Sequence, residues 1–92
     1  MIYLDYTANT PADPDVLDAY LAAERRYIAN PNSTHIAGQE ARAEMERVTQ
    51  SIAQHLGVQP AEIIYTSGAS EANNLALKGI AHASRHIGKH II

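Results

Sequence analysis

Thr66-Ser67-Gly68-Ala69-Ser70-Glu71 is the stretch on which the reading of this chain turns. Ahead of it stands Ile63-Ile64-Tyr65-Thr66, a short apolar, β-prone run of the kind that forms a strand buried on both faces. Behind it a helical pattern runs from about Glu71 to about His86, closed by Gly88. Lys89-His90-Ile91-Ile92 reads as the opening of a second buried strand. Residues 63–92 are therefore expected to form β–α–β, with a parallel, right-handed crossover. At the junction, a turn of small residues leads into a helix N-terminus, where unpaired N–H groups and the positive end of the dipole favour an anion. Ala69 and Ser70 offer backbone N–H groups, Ser70 adds a hydroxyl, and a phosphate fits there without any lysine. An ordinary βα turn in which Ser70 caps its own helix uses the same residues, so the stretch alone does not separate the two.

Working back towards the start, the long segment before Gly57 carries the clearest periodicity. Ala37, Ala41, Met45, Val48, Ile52 and Leu56 recur at steps of three and four, a helix beginning near Thr34 or His35 and ended by Gly57 in a left-handed cap. Asn30-Pro31-Asn32-Ser33 separates it from an earlier helix that starts at Asp13-Pro14-Asp15. There Asp13 suits the cap, Pro14 the first helical position and Asp15 the dipole. Val16, Leu17, Tyr20, Leu21, Tyr27 and Ile28 share one broad face of that helix. Residues 1–12 read as an extended arm, residues 13–57 as two helices, and residues 58–92 as the beginning of a larger α/β domain.

Composition narrows the function classes. Ninety-two residues make one small unit; 46% are hydrophobic, much of that alanine, and a chain of this size is marginal when it stands alone. Seven basic residues and a net charge of −3 argue against a nucleic-acid or anionic-membrane surface. Without cysteine, disulfides and Cys-ligated metal sites within the chain are ruled out. With no apolar span and no signal-peptide pattern, a cytoplasmic location is the expectation. Two short strands do not complete a parallel sheet, so the chain is expected to be the front part of a longer protein that associates with further structure, including a second copy of itself.

Three ordered stretches resemble one family. Tyr3-Leu4-Asp5-Tyr6 with Ala8-Asn9-Thr10-Pro11 resembles its N-terminal "YLD-x-x-ATTP" signature. Asn30-Pro31-Asn32-Ser33-Thr34-His35 with Gly38 resembles "NPSS-x-H-x-x-G". Thr66 to Glu71, with Asn74-Leu75-Ala76 and Lys78-Gly79, resembles "TSGATE-x-x-N-L-A-x-K-G". The family is the cysteine desulfurases, pyridoxal-phosphate enzymes of the class V aminotransferase group, and the resemblance runs from Ile2 to Ile92. It implies an α/β, fold-type I transferase, of which these residues would be the mostly helical front: three helices and a short parallel βαβ start. It implies pyridoxal 5'-phosphate as cofactor, L-cysteine as substrate with alanine as product, a sulfur-acceptor protein serving iron–sulfur cluster or thio-cofactor synthesis, and a homodimer.

Residue by residue, the resemblance places the cofactor phosphate at Ala69 and Ser70, serine keeping the hydroxyl of the usual threonine. It places Ala8, Asn9 and Thr10 beside the substrate pocket, with Asn9 departing from the family's threonine, and Asn30 and His35 near the active-site entrance, where turn geometry and helix capping explain them equally well. The lysine that forms a Schiff base with the cofactor and the sulfur-carrying cysteine lie, by the same resemblance, further along the family's chain. Lys78 and Lys89 are the only lysines here, and neither is placed to reach the aldehyde, so the chain alone is expected to be inactive. A non-catalytic, self-associating helical unit, or another enzyme of the group such as a selenocysteine lyase, remains an alternative. His82 and His86 have the i, i+4 spacing of a metal pair, but no Asp, Glu or Cys stands near to complete a set, and a solvated helix face is the simpler expectation.

Overall fold

The computed structural model describes residues 1–90. Three helices follow in order, α1 (Pro14–Arg26), α2 (Ile36–Leu56) and α3 (Ala69–Ala83), with a single 3₁₀ turn at Pro60–Glu62 between the last two. Helix α1 starts as its sequence requires: the Asp13 carboxylate accepts from the Asp15 N–H at 2.8 Å and Pro14 occupies the first turn. It stops at Arg26, because Tyr27 closes the last turn through its N–H on the Ala23 carbonyl and leaves helical geometry. Tyr27 and Ile28, expected to extend the apolar face, therefore lie beyond the helix.

Between α1 and α2 the chain makes a compact turn. Asn30 Oδ1 accepts from the Asn32 N–H at 2.8 Å, and the Asn30 carbonyl accepts from the Ser33 N–H at 2.9 Å. His35 then caps α2, its Nδ1 accepting from the Gly38 N–H at 3.2 Å. Gly38 is buried against the turn, and a Cβ there would lie 2.5 Å from the Ser33 carbonyl oxygen and 2.8 Å from that of Asn30. Helix α2 ends in a Schellman motif. Gly57 is left-handed at φ 68°, its N–H reaches the Gln54 carbonyl, and the Val58 N–H reaches that of Ala53. The 3₁₀ turn is closed reciprocally by Gln59 and Glu62 and folds back on α2, the one pair of elements in contact among the described residues.

Little of the chain is buried. Among the described residues, Ala53 and Ala41, at 1% and 6% exposure, are the buried hydrophobic ones, while Leu17, Tyr20, Met45, Leu75 and Ile80 face solvent. The radius of gyration is 18.2 Å, against about 12 Å for a compact domain of this length. The accessible surface is 8467 Å², where about 5,200 Å² is usual for this mass. Helices α1 and α3 thus project from α2 with their apolar faces open.

The expected βαβ start is not seen. Residues 63–66 form no strand among the described residues, although Ile63 is extended at φ −87° and ψ 121°. The physical reason is that a strand exists as a ladder of bonds between neighbours, and a two-stranded pair without a third strand or a covering layer is marginal. Of the second expected strand, Lys89 and His90 are irregular, and Ile91 and Ile92 lie outside the described residues. Helix α3 also differs from expectation. It begins two residues early, at Ala69, and ends at Ala83, with Ser84 closing it through an N–H on the Ile80 carbonyl. Ser84, His86 and Ile87 are weaker helix formers than alanine, and among the described residues no other helix contacts α3 to override them.

Candidate functional site

The segment that leads into the turn is tied to α2 by a side-chain bond. The Tyr65 hydroxyl and Thr49 Oγ1 are 2.7 Å apart; Thr49 donates its own proton to the Met45 carbonyl, so Tyr65 is the donor of the shared bond. Beyond it Thr66 Oγ1 donates to the Gly68 carbonyl at 3.1 Å. Gly68 is fully extended at the N-cap of α3, and a Cβ built on it meets nothing within 4 Å. Among the described residues no side chain caps this helix, so Ser70 does not play the capping role open to it in the sequence. The first bond of the helix is Ala72 N–H to the Gly68 carbonyl, at 3.1 Å. Among the described residues, the N–H groups of Ala69, Ser70 and Glu71 accordingly have no acceptor in the chain, as the first turn of an uncapped helix demands.

Ser67 behaves differently. Its N–H donates to the Glu71 carboxylate at 2.8 Å, and its hydroxyl donates to the same carboxylate oxygen. The hydroxyl bond, followed by the backbone one, holds the Glu71 carboxyl below the usual glutamate range. The turn therefore has two halves: Ser67 closed on Glu71, and a row of open amides next to the Ser70 hydroxyl. Three N–H groups and a hydroxyl at the positive end of a 15-residue helix are a donor set suited to the oxygens of a phosphate. The phosphate of pyridoxal phosphate fits that set. Lys78 stands nine residues beyond Ala69, about 13 Å along the axis, and Lys89 follows the far end of the helix.

The other residues singled out in the sequence form separate local clusters. The N–H groups of Ala8 and Asn9 both donate to the Asp5 carbonyl, at 3.1 and 3.2 Å. The Tyr3 hydroxyl donates to the carbonyls of Asp5 and Asn9, Thr10 Oγ1 donates to that of Tyr6, and the two tyrosine rings meet edge-on. The arm is thus bent around Asp5 rather than straight. Asn30 and His35 have their acceptor atoms engaged in the turn and cap already described. No hydrogen bond joins the three motif segments among the described residues. What does bring distant residues together is a shallow apolar groove, lined by Tyr27, Pro31, Met45, Val48 and Tyr65, between the end of α1, the turn and α2. His82 lies near the end of α3 with its Nε2 2.8 Å from Arg85, while His86 is already in the turn after the helix, so the pair does not share a helix face. Among the described residues no group of three metal-ligating side chains is present, and no helix is long and apolar enough to cross a membrane. The Ser67–Glu71 closure was not anticipated; its only trace in the sequence is a glutamate four residues after a serine at a helix start.

Comparison with known proteins gives the site its context. The family model described as Aminotransferase class-V matches residues 2–92. A human protein named cysteine desulfurase is 50% identical over 92 residues, covering 99% of this chain and 20% of the relative. The cysteine desulfurase IscS of Dictyoglomus turgidum is 43% identical, covering 99% and 23% respectively. An IscS-like cysteine desulfurase of Mycobacterium tuberculosis is 43% identical, covering 98% and 23%. The chain spans about a fifth of the length of the curated relatives it matches. No solved structure matches it. With the family model matched over nearly every residue, the chain belongs to the class-V aminotransferases.

Proposed function

We propose that this chain is the N-terminal part of a pyridoxal-phosphate-dependent cysteine desulfurase, of fold-type I, that removes sulfur from L-cysteine and leaves alanine. The observation that carries the reading is the row of open N–H groups at Ala69, Ser70 and Glu71 beside the Ser70 hydroxyl, in a member of a family whose relatives bear that name. In the complete enzyme, the Ala69 and Ser70 amides and the Ser70 hydroxyl hold the cofactor phosphate, and the positive end of α3 favours its charge. When bound, the pyridoxal ring supplies the electron sink that weakens bonds at the amino-acid carbon skeleton. Anchoring the phosphate fixes where that ring lies, which is positioning rather than chemistry. Lys78 is too far along α3 to serve as the cofactor's lysine, and Lys89 is further still. That lysine, and the cysteine that receives sulfur, belong to other parts of the enzyme. Asn9 and Thr10, with Asn30 Nδ2 and His35 Nε2, are the polar groups this part contributes to the substrate side. The open faces of α1, α2 and α3 are covered by the rest of the enzyme and by a second subunit. The sulfur passes to an acceptor protein for iron–sulfur cluster or thio-cofactor synthesis.

The test is made on the complete enzyme. With pyridoxal phosphate and a reductant, L-cysteine should yield alanine and sulfide in equal amounts, and Ser70→Ala should raise the cofactor concentration needed. Turnover of selenocysteine with no turnover of cysteine would replace the desulfurase by a lyase of the same group. Absence of both would refute the activity.

A further inference from the structure

The turn contains its own competitor for the phosphate. A carboxylate at the third position of a helix is drawn to the positive N-terminus, and from there it ordinarily reaches back to the amide of the capping residue. Glu71 is such a carboxylate in α3, whose capping residue is Gly68. Turned inward it would place a negative charge beside the amides that the cofactor needs. It does not do so. It reaches one residue further back and takes both donors of Ser67, the N–H at 2.8 Å and the hydroxyl. Two donors on one carboxylate form a charge-assisted pair stronger than either bond alone. They hold the carboxylate on Ser67, while Ala69 and Ser70 keep their amides open.

We propose that Ser67 is a latch for Glu71: by holding that carboxylate away from the first turn of α3, it keeps the phosphate cup open, and Ser67 and Glu71 are positioning residues for the cofactor. The inference rests on the reading of that cup as the site of pyridoxal phosphate. It separates two kinds of residue within one short motif. Ala69 and Ser70 touch the phosphate; Ser67 and Glu71 act by controlling which anion occupies the site.

The experiment uses the complete enzyme and compares the affinity for pyridoxal phosphate with that for pyridoxal, which lacks the phosphate, by fluorescence titration. The ratio of the two affinities reads the cup alone and does not depend on turnover. Ser67→Ala should lower the ratio by about tenfold, the scale of a lost charge-assisted bond. Ser67→Thr, which keeps the hydroxyl, should leave it within about twofold. Adding Glu71→Gln to Ser67→Ala should restore the ratio, because the competing charge is gone. A Ser67 that merely shapes the turn would leave the double variant as impaired as the single one, and that result overturns the latch. So does an unchanged ratio in Ser67→Ala while Ser70→Ala lowers it. A wild-type enzyme with no preference for the phosphate overturns the phosphate reading itself, and the latch with it.

Discussion

Replacing Gly38 by alanine sets two known effects against each other at one atom. Gly38 sits in the first turn of α2, where alanine is the better helix former by about 1 kcal/mol. The new Cβ, however, would stand 2.5 Å from the Ser33 carbonyl oxygen, 2.8 Å from the Asn30 carbonyl oxygen and 2.8 Å from Ser33 Cβ. Two of these are backbone atoms, and the turn that carries them is held by the Asn30–Asn32 and Ser33–Asn30 bonds and by Arg42 Nε on the Pro31 carbonyl. They cannot swing aside as a flexible side chain would, and overpacking of this kind costs about 1–3 kcal/mol. The expected net effect is a loss of about 1 kcal/mol, with the Gly38–His35 cap as its first casualty. Gly79 supplies the control: it lies inside α3, and a Cβ there meets nothing within 4 Å. Gly79→Ala should therefore gain about 1 kcal/mol. Helix content followed by circular dichroism through urea titration should place the two variants on opposite sides of the parent. A Gly38→Ala chain at least as stable as Gly79→Ala would refute the reasoning.

Three further outcomes are expected. With an accessible surface of 8467 Å², against about 5,200 Å² for a compact chain of this mass, the isolated 92 residues should self-associate. Sedimentation velocity should show a coefficient that rises with concentration, and a sharp, concentration-independent monomer would count against it. Pyridoxal phosphate added to this chain should give no stoichiometric visible band that Lys78→Ala abolishes, since Lys78 lies about 13 Å along α3 from the cup. For Glu71 the sign follows from its lowered value: the folded carboxyl binds its proton less readily than the unfolded one, so the stabilisation is complete above the ordinary glutamate value and is lost as the pH falls through the folded one. The carboxyl-carbon resonance of Glu71 should titrate at higher pH in Ser67→Ala; an unmoved midpoint would contradict the hydrogen bonds.

Local signals proved legible and long-range ones did not. Asp13, Pro14 and Gly57 act where their chemistry places them, because caps and left-handed turns are decided within a few residues. The α2 stripe marks a helix correctly yet names its contact face only in part. Ala41 is buried, but Met45 and Leu56 are open, and Ala53, more buried than Ala41, lies beside the stripe, where the 3₁₀ turn folds back. That return depends on the Gly57 cap and the Gln59–Glu62 closure, which periodicity does not encode. Ile63-Ile64-Tyr65-Thr66 has the composition of a buried strand but finds no partner strand in the described residues, since a ladder needs neighbours that sequence composition does not supply. At the candidate site, the open amides of Ala69 and Ser70 follow from the small-residue turn and the helix behind it. The engagement of Ser67 by Glu71 was not legible, because serine and glutamate at that spacing are compatible with either a cap on the helix or a bond outside it.

The account depends most on where the cofactor phosphate lies, and a crystal structure of the complete enzyme with pyridoxal phosphate measures that directly. The prediction is phosphate oxygens within about 3 Å of the Ala69 and Ser70 amides and the Ser70 hydroxyl, with Glu71 still on Ser67. A phosphate held elsewhere, with those amides turned to water or to Glu71, would contradict it.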